Sequence, residues 1–198
     1  MDRRDEEAMS RFARQTVLPQ VGEAGQARLA AASVLVVGAG GLGCPVLQYL
    51  IGAGVGRVTI VDHDTVDETN LHRQPLYGMP DVGRLKVEAA RAALLRLDPE
   101  ARIGTVAERL TPQNAADLVG DADVVVDAAD SFAVTYILSD VCLEASTPLV
   151  SASVVGMTGY AGVLIGTVDI VLGADLHDPR VDIDRIDILR ALAQRDRD

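Results

Sequence analysis

The sequence predicts an α/β protein, a mostly parallel sheet with helices on both faces, preceded by an N-terminal helical arm. Three observations predict it. Short apolar runs rich in Val and Ile recur along the chain, segments with helical apolar spacing separate them, and a glycine cluster sits between the first run and the helix after it. The 198 residues suffice for one domain with a substantial core. The expected division is an arm and helix over 1–32, the α/β domain over 33–166 and an acidic, divergent tail over 167–198.

Taken in order, residues 1–15 read as a mobile charged arm. PQVGEAGQARLAAA reads as an Ala-rich helix. VLVV (34–37) has the look of a strand covered on both faces. CPVLQYLIGAG makes the next helix, with Pro45 in its first turn, where a missing N–H costs nothing. RVTIVD (57–62) is a second buried strand. The polar stretch that follows is too long for an ordinary connection, and long ordered loops are usually functional. KVEAARAALLRLD (86–98) is a helix ending before Pro99, and ARIGTVAERL holds a third strand. TPQNAADLVG reads as a short helix with Thr111 as N-cap and Pro112 at its first position. ADVVVDAAD gives a fourth strand, SFAVTYILSDVCLEAS a helix capped by Ser131, and TPLVSASV a fifth strand. GYAGVLIGTVDIVLG adds one or two more, and IDRIDILRALAQ suits a terminal helix.

Composition narrows the function. The formal net charge is −11 and the sequence pI about 4.6, which argues against nucleic-acid or anionic-membrane binding as a whole-chain property. The 34–56 stretch has no charged residue, but seven glycines and Pro45 break it into strand, turn and helix rather than a membrane span. The charged start lacks an apolar core, so no secretory signal is expected and the cytoplasm is the expected compartment. Cys44 and Cys142 make no disulfide framework, no C-x-x-C pair exists to hold zinc, and both read as inert core thiols.

Gly38, Gly40 and Gly43 form G-x-G-x-x-G between a strand and a helix, the pattern of a Rossmann-like nucleotide fold. The first glycine permits the tight turn, the second close approach to phosphate, and the third close helix packing. Asp62 ends the second strand, where a ribose hydroxyl acceptor belongs. This geometry does not choose between NAD and ATP. No G-x-x-x-x-G-K-[ST] occurs, which excludes a Walker-type ATPase.

The cations favour phosphate chemistry. Lys86 is the only lysine among 18 basic residues, which suggests a site needing a compact ammonium. Arg73 lies in the long loop after Asp62. Asp127 and Asp130 sit at the carboxyl end of VVVD, the edge where open α/β sheets bind ligands. Asp127 is expected to satisfy local backbone, and Asp130 to hold Mg²⁺. A ribose acceptor, phosphate cations and a metal carboxylate suit phosphoryl or nucleotidyl transfer rather than hydride transfer.

RFARQTVLPQVGEAGQARLAAASVLVVGAGGLGCPV, VDHDTVDETNLHRQ, DVGRLKVEAA, DVVVDAAD and STPLVSASVVGMTGYAGVLIG together resemble the bacterial ubiquitin-activating-enzyme-like proteins of the ThiF/MoeB/HesA type, from about Arg11 to Gly166. The resemblance implies a homodimer that uses Mg·ATP to adenylate the C-terminal Gly-Gly carboxylate of a small ubiquitin-like sulfur-carrier protein. It implies a nucleotide loop of Gly38, Gly40, Gly41 and Gly43, ribose on Asp62, and phosphates on Asn70, Arg73 and Lys86. It also implies Mg²⁺ on Asp130 and an Arg14 that reaches the partner subunit's ATP. Arg14, Arg73, Lys86 and Asp130 would be the catalytic set. The family's Asp-Asn pair here reads Asp130-Ser131, which puts Ser131 in the expected nucleotide-binding set, and the cysteine pairs of zinc-bearing members are missing from this sequence. A non-catalytic or truncated nucleotide-binding paralogue and an NAD-dependent oxidoreductase remain as alternative readings.

Overall fold

The computed structural model describes residues 11–165 and, as backbone, 168–174. Seven strands form one sheet in the order β3-β2-β1-β4-β5-β6-β7: β1 Ser33–Val37, β2 Arg57–Val61, β3 Arg102–Val106, β4 Val124–Asp127, β5 Leu149–Val155, β6 Thr158–Ile165 and β7 Val168–Ala174. β1 to β5 pair in parallel, and β6 and β7 add antiparallel strands. The sheet therefore continues across residue 166 into β7. The helices are α1 Ala13–Thr16, α2 Gly22–Ala31, α3 Gly43–Ala53, α4 Lys86–Leu97, α5 Ala115–Val119 and α6 Phe132–Ala145.

The continuous apolar runs are explained by burial on both faces. Val34 and Val36 of β1 point into a core with Leu47 and Ile51 of α3 and Leu94 of α4. Leu35 and Val37 point to the other face, against Val119 of α5 and Leu138 and Cys142 of α6. Two cores thus sandwich one sheet. Strand order reverses between β1 and β4, so the chain leaves their paired carboxyl ends in opposite directions and a crevice opens above them.

Two expectations need correction. Residues 11–15 are docked, not mobile. Arg11 pairs with Asp98 at 2.9 Å, Phe12 packs on the left-handed Gly54 that ends α3, and Gln15 donates to the Ala53 carbonyl at 3.3 Å. Nor does Thr111 cap α5 with Pro112 at its first position, since α5 starts at Ala115. The Asn114 side chain instead accepts from the Thr111 N–H and hydroxyl, closing a turn over 111–114 before the helix begins. The expected terminal helix lies outside the described residues. No described helix is long and apolar enough to cross a membrane.

Candidate functional site

The glycine turn leads from β1 into α3, and its glycines have different reasons. Gly38 has φ +97°, and a Cβ there would meet the Ala128 carbonyl at 2.6 Å. A Cβ on Gly43 would overlap the Gly38 carbonyl. Gly40 and Gly41 differ: added Cβ atoms would meet only ordinary contacts, Gln74 Nε2 at 3.7 Å and Arg73 Cδ at 3.5 Å. The protein itself does not require glycine at those two positions, yet both face the crevice. Ala39 beneath them is held through both of its flanking peptide groups. Its N–H donates to Asp62 Oδ2 at 2.8 Å, and its carbonyl accepts from the Tyr77 hydroxyl at 2.7 Å.

At the end of β2, Asp62 also accepts the Asp64 N–H through Oδ1 at 2.8 Å. Asp64 binds the Lys86 ammonium at 2.9 Å, and the Lys86 N–H donates to the Asp64 carbonyl at 2.9 Å. The hydrogen bond from Lys86 holds the Asp64 carboxyl below the ordinary carboxylate range. Lys86 itself is buried at the start of α4. The loop between these residues is closed by an isolated bridge of Thr65 with Leu85 and by paired bonds of Val66 to Arg84 and Gly83. That closure fixes where Asn70 and Arg73 stand. Asn70 ends a 3-10 turn whose Asp67 caps the Thr69 N–H. Asp62, His63 and Asp64 bring donor atoms within 4.8 Å of one another. However, both Asp62 oxygens serve backbone N–H groups and Asp64 serves Lys86, so the cluster is already satisfied.

At the end of β4, Asp127 is buried and accepts from Ala129 N–H, Thr135 Oγ1 and Ser151 Oγ at 3.1, 2.6 and 3.1 Å. Burial pushes its carboxyl up, against those three bonds. It satisfies local groups, as expected. Asp130 is exposed on the crevice wall, and no hydrogen bond or ion pair engages its carboxylate among the described residues. Its donor chemistry, a free hard oxygen facing the cleft, fits a magnesium ion. Ser131 is the N-cap of α6, although its hydroxyl makes no capping bond. Both thiols are buried. Burial pushes Cys44 up, and Cys142 up to about 12, neither a reactive environment.

These elements enclose an open cleft of about 650 Å³. It brings together Gly38, Gly40, Gly41, Asp62, Asn70, Arg73, Lys86, Asp130 and Ser131 from the sequence-predicted set. Gly43 is not on its wall, being packed behind the turn. Arg14 is not either: α1 docks at the far end of α3 from the glycine turn, about 16 Å along an eleven-residue helix. Sequence reasoning missed Asp64, Gln74 and Arg109. Arg109 follows β3 at the same carboxyl edge and reaches His63 Nε2 at 2.8 Å. Gln74 is buried beside Gly40, and its Oε1 has no hydrogen-bond partner among the described residues. Three cations face four acids here, so anion binding depends on backbone N–H groups and α3's N-terminus as well as on net charge.

The ThiF family model matches residues 12–186. The chain is 51% identical over 153 residues to the adenylyltransferase and sulfurtransferase MOCS3 of Bos taurus, covering 77% of this chain and 34% of that protein. It is 47% identical over 157 residues to the sulfur carrier protein adenylyltransferase of Thermus thermophilus, covering 79% and 58%. The chain thus spans well under two thirds of either relative's length. Among solved structures, E. coli tRNA N6-threonylcarbamoyladenosine dehydratase in complex with ATP superposes with a TM-score of 0.69 at 31% identity, covering 74% of this chain and 60% of that one.

Proposed function

Since the chain belongs to the ThiF family, we propose that it adenylates the C-terminal Gly-Gly carboxylate of a small ubiquitin-like sulfur-carrier protein, with ATP as the co-substrate. One observation carries this reading: glycine-turn amides, Arg73, Lys86 and a free Asp130 face a single cleft at the point where strand order reverses. Two curated relatives are adenylyltransferases, one of a sulfur carrier protein. That sets the nicotinamide-dependent alternative aside.

The chain's residues divide the work. Gly40 and Gly41 leave room for phosphate, and each Asp62 oxygen keeps a second lone pair, beside its backbone N–H bond, for a sugar hydroxyl. Asn70, Arg73 and Lys86 offset the repulsion between an incoming carboxylate and a polyphosphate, and the charge that develops on pyrophosphate as it leaves. Asp64 holds the Lys86 ammonium in place while leaving it protons to donate. Asp130 would hold magnesium, which when bound neutralises phosphate charge. No side-chain base is required, because the attacking carboxylate is already ionised. Phe132, Val154, Val155 and Tyr160 give the cleft an apolar rim suited to a tail without side chains. We further propose a cytoplasmic homodimer in which Arg14 completes the partner's site.

ATP–pyrophosphate exchange tests the reading. Label should enter ATP only with a carrier ending in Gly-Gly and with magnesium, and Lys86→Met should lower the rate by about 100-fold or more. ATP binding without exchange for every carrier tried would instead favour the non-catalytic nucleotide-binding alternative.

A further inference from the structure

Tyr77 does not line the cleft, yet it governs what the cleft presents. Its ring is buried under the glycine turn, and its hydroxyl donates to the Ala39 carbonyl at 2.7 Å. Burial raises its pKa far above that of an ordinary phenol, so the hydroxyl stays a donor throughout the working range. On the other side, Asp62 Oδ2 takes the Ala39 N–H at 2.8 Å. A second donor to the Ala39 carbonyl, the Cys44 thiol, stands at 3.5 Å and is weak.

In a trans peptide, the carbonyl of residue 39 and the N–H of residue 40 point in opposite directions. Drawing the Ala39 oxygen inward onto Tyr77 therefore turns the Gly40 N–H outward. Gly40 lines the cleft, and its N–H has no protein partner among the described residues. Gly40 has no side chain to resist a rotation of this peptide, so the turn could otherwise present a carbonyl, which repels phosphate. Resting on the ATP reading above, we propose that Tyr77 is a positioning residue: it locks the 39–40 peptide so that an N–H, not a carbonyl, meets the nucleotide's phosphates.

Calorimetric titration of Tyr77→Phe with ATP and with adenosine tests this. ATP affinity should fall about ten-fold, the size of one charge-assisted hydrogen bond, while adenosine affinity stays within about two-fold of wild type. The core variant Leu94→Ala should lower the melting temperature yet keep the wild-type ratio of ATP to adenosine affinity. A wild-type ratio in Tyr77→Phe overturns the proposal, whereas wild-type protein that binds no ATP overturns the ATP reading and this inference with it. Should Tyr77→Phe not fold, the wild-type Gly40 amide resonance decides. A shift with inorganic pyrophosphate and none with adenosine supports the lock, and an unmoved resonance overturns it.

Discussion

Gly40 and Gly43 occupy the same motif but answer to different pressures. A methyl on Gly43 has no room against the Gly38 carbonyl, whereas one on Gly40 finds only ordinary contact with Gln74. Gly43→Ala should therefore destabilise the fold by about 3 kcal/mol or more, a fall of about 6–12 °C in melting temperature. Gly40→Ala should melt within about 2 °C of wild type while losing about ten-fold or more in ATP affinity, because the methyl stands where phosphate would approach. Thermal melts and ATP titration of both variants check this. Equal thermal losses would show that protein packing, not a ligand, demands glycine at 40. The same contrast shows what a sequence displays at this scale. Gly38, Asp62 and Asp130 could be expected at the cleft from residue type and place at a strand's carboxyl end, and Arg73 and Lys86 from their place in and just after the long loop; the structure puts all five on its wall. Asp64, Gln74 and Tyr77 could not, because each matters through a partner distant in sequence: Lys86, Gly40 and Ala39 respectively.

Elements were legible wherever burial sets periodicity, and obscure where side chains meet end to end. β1, β2 and β4 could be read from Val-rich runs that the sheet buries for most of their length. The turn before α5 escaped because Asn114, not Thr111, supplies the bond that shapes it. Asp127 is the larger case, since one buried carboxylate ties β4 to α6 through Thr135 and to β5 through Ser151, with Tyr160 of β6 bonded to Ser151 in turn. The folded state holds this carboxyl above its unfolded value of 3.8. Its ionisation therefore opposes folding above the folded pKa, and the opposition fades as pH falls toward 3.8. Thr135→Val removes the closest donor and raises the folded pKa further. It should cost about 1–2 kcal/mol at pH 8 and clearly less at pH 4. Melting temperatures at the two pH values give the answer; a loss independent of pH would mean that the threonine acts through packing alone.

At the scale of the whole molecule, the cleft and the arm occupy opposite ends of α3, so Arg14 cannot serve the cleft of its own chain without leaving its dock on Ala53 and Gly54. The homodimer proposed above offers a solution: a two-fold axis that set each arm against the other cleft would complete both sites at once. The arrangement has a consequence that a cis site lacks. Arg14→Ala and Lys86→Met should each abolish exchange in homodimers, for both sites then lack one cation. In co-expressed mixtures, a heterodimer would contain one site with its own Lys86 and the arginine of the Lys86→Met chain, and one site lacking both. Random pairing makes half the dimers mixed, so about a quarter of all sites, and about a quarter of wild-type exchange activity, should return. Sedimentation would establish that the chains pair, and tagged copies of the two variants would let the mixed species be isolated. Recovery in the purified heterodimer requires the arginine to cross between subunits. An inactive heterodimer of normal stability would place Arg14 in its own cleft, and would demand a rearrangement of α1 on nucleotide binding.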